Sequence, residues 1–423
     1  MKFSPPSWNN CDRSELKTPR TISLLTAGRD RPYALGLAAA LAAAGAHFDF
    51  VGSDEVDSPE LHISPQIRFL NLRGGQSVGA GLPKKIARVL AYYARLIHYA
   101  FTARAKIFHI LWNNKFEMFD RTVLMVLYKA LGRKVVFTAH NVNARARDGG
   151  DSAWNRATLK FQYRLCDHIF LHTEKMRAEL VSGYAVPEAK TTVIPFGLNS
   201  TVPDTTLTPE GARQRLGLAP ADKVILFFGN IAPYKGLEFL VDAFIEVARR
   251  SPVYRLLIAG RPKGGEGYWS GILEKINASS MPEKFLLKIE FVPDAETEIY
   301  FKAADVLVLP YTHIFQSGVL FLGYNFGLPA IAADVGSLKE EIVEGQTGHV
   351  FPPRDTAGLA RAIETFFAGD LYANLNTNRG RIRAFARERY SWSKVARMTM
   401  DVYERLAPAR EFSPTAQPPV EVR

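Results

Sequence analysis

Cysteine is nearly missing: Cys11 and Cys166 are the only two in 423 residues. Two thiols cannot build a Cys-rich zinc cluster or a disulfide framework, and such sparse usage fits a reducing cytoplasm. Acidic residues are also in deficit, 42 against 53 lysines and arginines, for a formal charge of +11. That balance suits an anionic partner such as nucleic acid, anionic lipid or a phosphorylated substrate, and its plain alternative is charge kept for solubility. No apolar run reaches the ~18 residues of a membrane span. No apolar run follows a basic stretch near residue 1, so no signal peptide is expected. The first glycine turn, Gly28-Arg29-Asp30-Arg31, lacks the GxGxxG spacing of a dinucleotide fingerprint.

What the chain has instead is alternation. Short, continuously apolar runs stand at 21–27, 47–51, 107–112, 134–138, 167–172 and 191–195, with helical patterns between them. After the polar, turn-rich stretch NSTVPDTTLTP at 199–209 the alternation restarts, with runs at 224–228, 255–259, 287–292, 306–309 and 330–333. Apolar strands feeding helices predict parallel sheets covered on both faces. The expected fold is therefore α/β, with two Rossmann-like domains at 1–198 and 199–385. A helix within 386–410 is expected to cross back onto the first domain, and the Pro-rich tail 411–423 is expected to be disordered. Residues 1–20 read as a loose polar lead-in.

In such sheets ligands bind beyond the carboxyl ends of the strands. The stretch VILFFGNIAPYKG at 224–236 ends a strand on Gly229 and Asn230 and opens a helix behind Lys235 and Gly236. A cation beside free helix N–H groups favours an anion, most naturally a phosphate. An ordinary surface lysine in a β–α turn is the bland alternative. Gln316-Ser317-Gly318-Val319 opens a second helix after the strand at 306–309, and two such starts fit a diphosphate better than a monophosphate. Arg261 follows the glycine that ends another strand and could clamp a phosphate or cover a loop. Glu340 lies in GSLKEE, near sugar hydroxyls or simply at a helix start. In the first half, Gly28 and Arg29 are candidate acceptor contacts or plain surface residues. His140 follows the strand at 134–138, where it can meet a sugar hydroxyl or shuttle a proton.

Residues 84–106 pattern as a basic, aromatic helix, with Lys84, Lys85, Arg88, Arg95, Arg104 and Lys106 among Tyr92, Tyr93, Tyr99 and Phe101. Such a helix can lie peripherally on an anionic membrane, or it can bury its aromatic face in the core.

Separated blocks then match in order: FFGNIAPYKGLEFLVDAF, LLIAGRP, and ADVLVLPY followed by FGLPAIAADVGSLKEEIVEGQTGHVF, with VVFTAHNV matching more weakly. On these the chain resembles glycosyltransferase family 4, enzymes of the GT-B architecture. The resemblance implies a nucleotide-diphospho-sugar co-substrate and no other cofactor. It implies that Lys235 meets the donor diphosphate, His140 the donor sugar, and Glu340 the donor side of its loop. Three departures stand out. Asn230 replaces an arginine, and Ile314 and Leu322 stand where the family has two glutamates eight positions apart. Gln316 is a candidate to take over their hydrogen bonding, and the choice between retaining and inverting outcomes is left open. No two aspartates stand two positions apart, which removes the usual Asp-x-Asp metal clamp and leads to an expectation of metal-independent transfer. The expected function is sugar transfer to an acceptor hydroxyl, on a glycan or lipid-linked glycan of envelope or extracellular polysaccharide synthesis. The alternatives are a nucleotide-sugar epimerase or other GT-B enzyme, and a non-catalytic basic binding protein. Nucleic acid is not expected, because the basic–aromatic cluster is confined to one helix.

Overall fold

A computed structural model describes residues 21–75, 81–147, 150–199, 202–263 and 266–408. The expectations for the lead-in 1–20 and the tail 411–423 lie outside the described residues.

The first lobe holds a seven-stranded parallel sheet. Its strands are β1 (Ile22–Leu25), β2 (Phe48–Gly52), β3 (Ile67–Asn71), β4 (Ile107–Ile110), β5 (Lys134–Thr138), β6 (His168–Leu171) and β7 (Thr191–Val193), ordered β3-β2-β1-β4-β5-β6-β7. The second lobe holds six parallel strands: β8 (Lys223–Phe228), β9 (Tyr254–Ala259), β10 (Phe285–Lys288), β11 (Val306–Leu309), β12 (Ala330–Ala333) and β13 (Gly348–Phe351), ordered β10-β9-β8-β11-β12-β13. Each order reverses direction beside its first strand, at β1/β4 and at β8/β11, which opens a crevice at the carboxyl edge. Central strands are buried along their whole length; β1, β4, β6, β11 and β12 have no exposed residue. That is why they read as unbroken apolar runs.

Two strands, β3 and β13, were not expected, and β10 lies earlier than the run at 287–292 predicts. All three are edge strands. An edge strand is covered on fewer sides, so IRFLN and GHVF carry polar residues. In β10 the ladder with β9 runs from Phe285 to Lys288, so Lys288 closes the strand and Phe291 lies outside it, 63% exposed.

The basic helix spans Leu82–Thr102. Tyr92, Tyr93 and Tyr99 are buried against the sheet, each hiding apolar area that contributes about 2 kcal/mol. Tyr99 also donates to Asp49 at 2.8 Å, and Tyr93 to Asp120 at 3.0 Å. The aromatic face is core, as the plainer alternative has it. Phe101 is the exception and is exposed along with Ile86 and Leu90.

The helix Trp392–Leu406 leaves the second lobe and packs on the helix Arg31–Ala43 of the first. Gly36 makes room for it, since a Cβ there would lie 2.3 Å from the Trp392 ring. Tyr403 reaches His109 of β4, with its hydroxyl 2.5 Å from Nδ1. Trp392 Nε1 donates to the Leu198 carbonyl at 2.6 Å, where the chain leaves the first lobe. Ser391 stands at the start of this helix, but its hydroxyl makes no capping bond.

Candidate active site

The carboxyl edges of the two sheets face each other. After β8 the chain makes a short turn, Pro233–Lys235, and Gly236 starts the helix Leu237–Arg250. Gly236 has φ +62°, and a Cβ there would fall 2.0 Å from the Pro310 carbonyl oxygen at the exit of β11. Glycine is therefore required, and its close approach ties this loop to the next strand. Lys235 beside it is only 5% exposed. Its Nζ donates to the Tyr311 hydroxyl at 2.7 Å and lies 4.3 Å from the centre of the same ring. Tyr311 follows β11 and its hydroxyl is 3.4 Å from Ser317 Oγ.

Ser317 precedes the helix Gly318–Asn325 without capping it, so the first N–H groups of that helix have no side-chain cap. A Cβ on Gly229 would lie 3.6 Å from Val319 and 3.7 Å from Lys235 Nζ. The β8 loop, the lysine and the helix start thus converge within a few ångströms. Together they wall a cavity of about 460 Å³ that contains Asn230, Lys235, Gln316, Ser317, Gly318 and Val319. Ile314 and Leu322 line it too, so no carboxylate occupies those two positions. Gln316 is held by its amide nitrogen, which donates to the carboxylate of Glu341. Glu341 also accepts from the Tyr390 hydroxyl, and burial pushes its carboxyl above the usual range. The Gln316 carbonyl oxygen is buried without a partner.

The first lobe contributes Asp30, Tyr33 and Phe196 to the same cavity. His140 lies just behind them. Its ring stacks on Trp112, with centres 4.2 Å apart and planes 1° apart, and meets the Tyr33 ring edge-on at 4.6 Å. Phe196 lies 6.1 Å from His140 and stacks on Phe321 at 5.6 Å, so packed aromatic rings connect His140 to the second lobe. Burial pushes the His140 imidazole well below its ordinary range, and it is neutral at pH 7. Its Nδ1 is 3.0 Å from His172 Nε2, while its own Nε2 is buried with no partner.

Other candidates are not gathered here. Arg261 is exposed and lies 5.5 Å over the Phe291 ring, at the edge of the second lobe. Glu340 is exposed and does not line the cavity; it sits 3.7 Å from Lys175 of the first lobe, whose Nζ donates to the Gly336 carbonyl at 2.5 Å. Gly28 has φ +63° beside Ser53 and Arg73, and Arg29 is exposed. Tyr311, Trp112, Tyr33, Phe196 and Glu341 were missed. Tyr311 had a usable signal, since it follows a strand end as His140 does. So had His172, the equivalent residue after β6. Tyr33 and Phe196 reach the site through tertiary packing on His140 and His172, which leaves no trace in sequence. A larger hollow of about 810 Å³ lies at the other end of the second sheet, where Arg213 pairs with Asp305 and Lys302 with Glu298.

Two facing parallel-sheet lobes, with a buried lysine and an uncapped helix start between them, are the architecture of the GT-B enzymes. Residues 32–202 match the family described as Glycosyltransferase Family 4, and residues 222–368 match Glycosyl transferases group 1. Each lobe thus carries a glycosyltransferase domain, and the chain is a glycosyltransferase of the GT4 type. It is 24% identical over 357 residues to the D-inositol 3-phosphate glycosyltransferase of Corynebacterium efficiens, across 81% of this chain and 82% of that one. In fold it is similar to the sucrose-phosphate synthase of Thermosynechococcus elongatus, with TM-score 0.72, 20% identity and 91% and 98% of the two chains covered. It is also similar to Anabaena HepE in complex with UDP, with TM-score 0.70, 17% identity and 91% and 100% covered.

Proposed function

We propose that the protein moves a sugar from a nucleotide-diphospho-sugar to an acceptor hydroxyl, without a metal, on a glycan or lipid-linked glycan of envelope or extracellular polysaccharide synthesis. The observation that carries this reading is the convergence of Lys235, Asn230 and the Ser317–Val319 helix start on one cavity between the lobes. In the reaction the bond from the anomeric carbon to the diphosphate oxygen breaks as the acceptor oxygen bonds to that carbon and loses its proton. Negative charge grows on the leaving diphosphate. Lys235 and the aligned N–H groups stabilise it without reorganising, which lowers the barrier. The Gln316 carbonyl and His140 face the sugar. Solved neighbours of the same fold include HepE with UDP and with UDP-glucose, which supports a nucleotide-sugar donor.

Thermal melting with a panel of nucleotide sugars tests the reading. At 100 times its Kd a donor that binds only the folded state adds about 2.7 kcal/mol, and the melting temperature rises by several degrees. No rise with any nucleotide sugar would count against it. Release of nucleoside diphosphate only when acceptor is present separates transfer from epimerisation. Treatment with EDTA is expected to leave turnover within twofold of the untreated enzyme; strict dependence on added Mn²⁺ or Mg²⁺ would refute the metal-independent reading.

Peripheral membrane contact is part of the same proposal. Among the described residues no helix is long and apolar enough to cross a membrane. The helix Leu82–Thr102 instead exposes Ile86, Leu90 and Phe101 alongside Lys84 and Arg95. Exposed apolar side chains interleaved with cations suit an anionic lipid surface. The protein should float with vesicles containing anionic lipid and not with neutral ones, and Ile86→Asp with Leu90→Asp should abolish flotation.

A further inference from the structure

His172 sits where β6 ends, next to His140 at the end of β5, in register with the ladder that pairs Thr138 with Phe170. Its Nδ1 is 3.3 Å from the Ile194 carbonyl, and its Nε2 is 3.0 Å from His140 Nδ1. A carbonyl oxygen can only accept, so His172 Nδ1 carries a proton. Burial pushes the His172 imidazole down to about 4, so the ring is neutral at pH 7 and its Nε2 holds a lone pair. The proton between the two rings then belongs to His140 Nδ1, which donates. A neutral His140 with hydrogen on Nδ1 has a lone pair on Nε2, the atom that is buried without a partner.

We infer that His172 is a positioning residue: it locks His140 in the Nδ1–H tautomer, so that His140 Nε2 accepts a hydrogen bond from a hydroxyl of the transferred sugar. This deepens the donor reading above and rests on it for the identity of the ligand. The hydrogen-bond chain is directional and runs from His140 through His172 to the Ile194 carbonyl. The Trp112 face fixes the plane of the His140 ring, and the chain fixes which nitrogen is bare. A site of this polarity rejects a donor sugar that lacks the matching hydroxyl, because the buried nitrogen is then left unpaired.

The test reads the tautomer directly. The full chain is labelled with ¹⁵N in histidine, and long-range ¹H–¹⁵N correlation is recorded without ligand, with the His140 signals assigned by their loss in His140→Gln. The wild-type protein should show hydrogen on His140 Nδ1 and a bare Nε2. In His172→Phe, His140 should shift towards the Nε2–H form, and kcat/KM for the donor should fall at least tenfold. In His172→Gln a carbonyl oxygen can accept in place of Nε2, so the Nδ1–H form and most of kcat/KM should return. Hydrogen on His140 Nε2 in the wild type, or an unchanged His140 tautomer in a folded His172→Phe, would overturn the inference. If the tautomers behave as stated but no nucleotide sugar binds, the donor reading fails while the role of His172 on His140 stands.

Discussion

Replacing Lys235 with alanine should lower kcat about 10²–10³-fold, the loss seen when one preorganised charge-stabilising group is removed from a site. The argument is geometric. Lys235 is buried at the carboxyl edge of β8, its ammonium is held by the Tyr311 hydroxyl and ring, and it lies beside Gly229 and Val319 where the backbone is approachable. A diphosphate departing from that cavity has the lysine within contact distance throughout. The effect should fall on turnover more than on folding, because Lys235 hydrogen-bonds a tyrosine that also contacts Ser317. Circular dichroism and melting of Lys235→Ala should stay close to the parent. Tyr311→Phe leaves the lysine its aromatic face but removes its hydroxyl partner, and should cost roughly tenfold or less. Unchanged turnover in a folded Lys235→Ala would take the lysine out of the mechanism.

Gly236→Ala should destabilise the second lobe strongly, by backbone strain and a backbone clash together. A left-handed conformation at φ +62° costs a non-glycine residue about 1–2 kcal/mol. The new Cβ would also lie 2.0 Å from a backbone oxygen, that of Pro310, which no side-chain rotation relieves. A combined loss of about 3 kcal/mol lowers the melting temperature by roughly 6–12 °C. Gly267→Ala is the control, since nothing lies within 4 Å of its added methyl and it sits in the helix Glu266–Ala278. That variant should melt at or slightly above the parent temperature. Equal melting of the two variants would show that the Pro310 contact carries no weight.

Much of this arrangement was legible in the sequence. The stretches Val224–Phe228, Val306–Leu309 and Ala330–Ala333 are apolar throughout because helices cover both faces. Lys235 and the Gln316–Val319 start follow such strands, so their place at the crevice follows from the alternation alone. The edges were not legible. β3 and β13 carry the mixed composition of half-covered strands, and the β10 ladder stops before its apolar run does. Glu340 reads like a donor ligand because its neighbours do, yet it is exposed beside Lys175 and does not line the cavity. The aromatic partners of His140 come from four separate stretches, at Tyr33, Trp112, His172 and Phe196. Their meeting depends on tertiary packing that no local pattern encodes.

The tie between Trp392 and the Leu198 carbonyl has a mechanical consequence. The backbone passes between the two halves of the molecule twice, and these passages are fastened to each other at that bond. A pair of adjacent, joined crossings behaves like the pin of a door: it permits swinging about one axis and resists sliding or twisting. Any swing of one lobe against the other should therefore turn about that joint, and cutting the chain at 202–209 alone should leave the door on its pin.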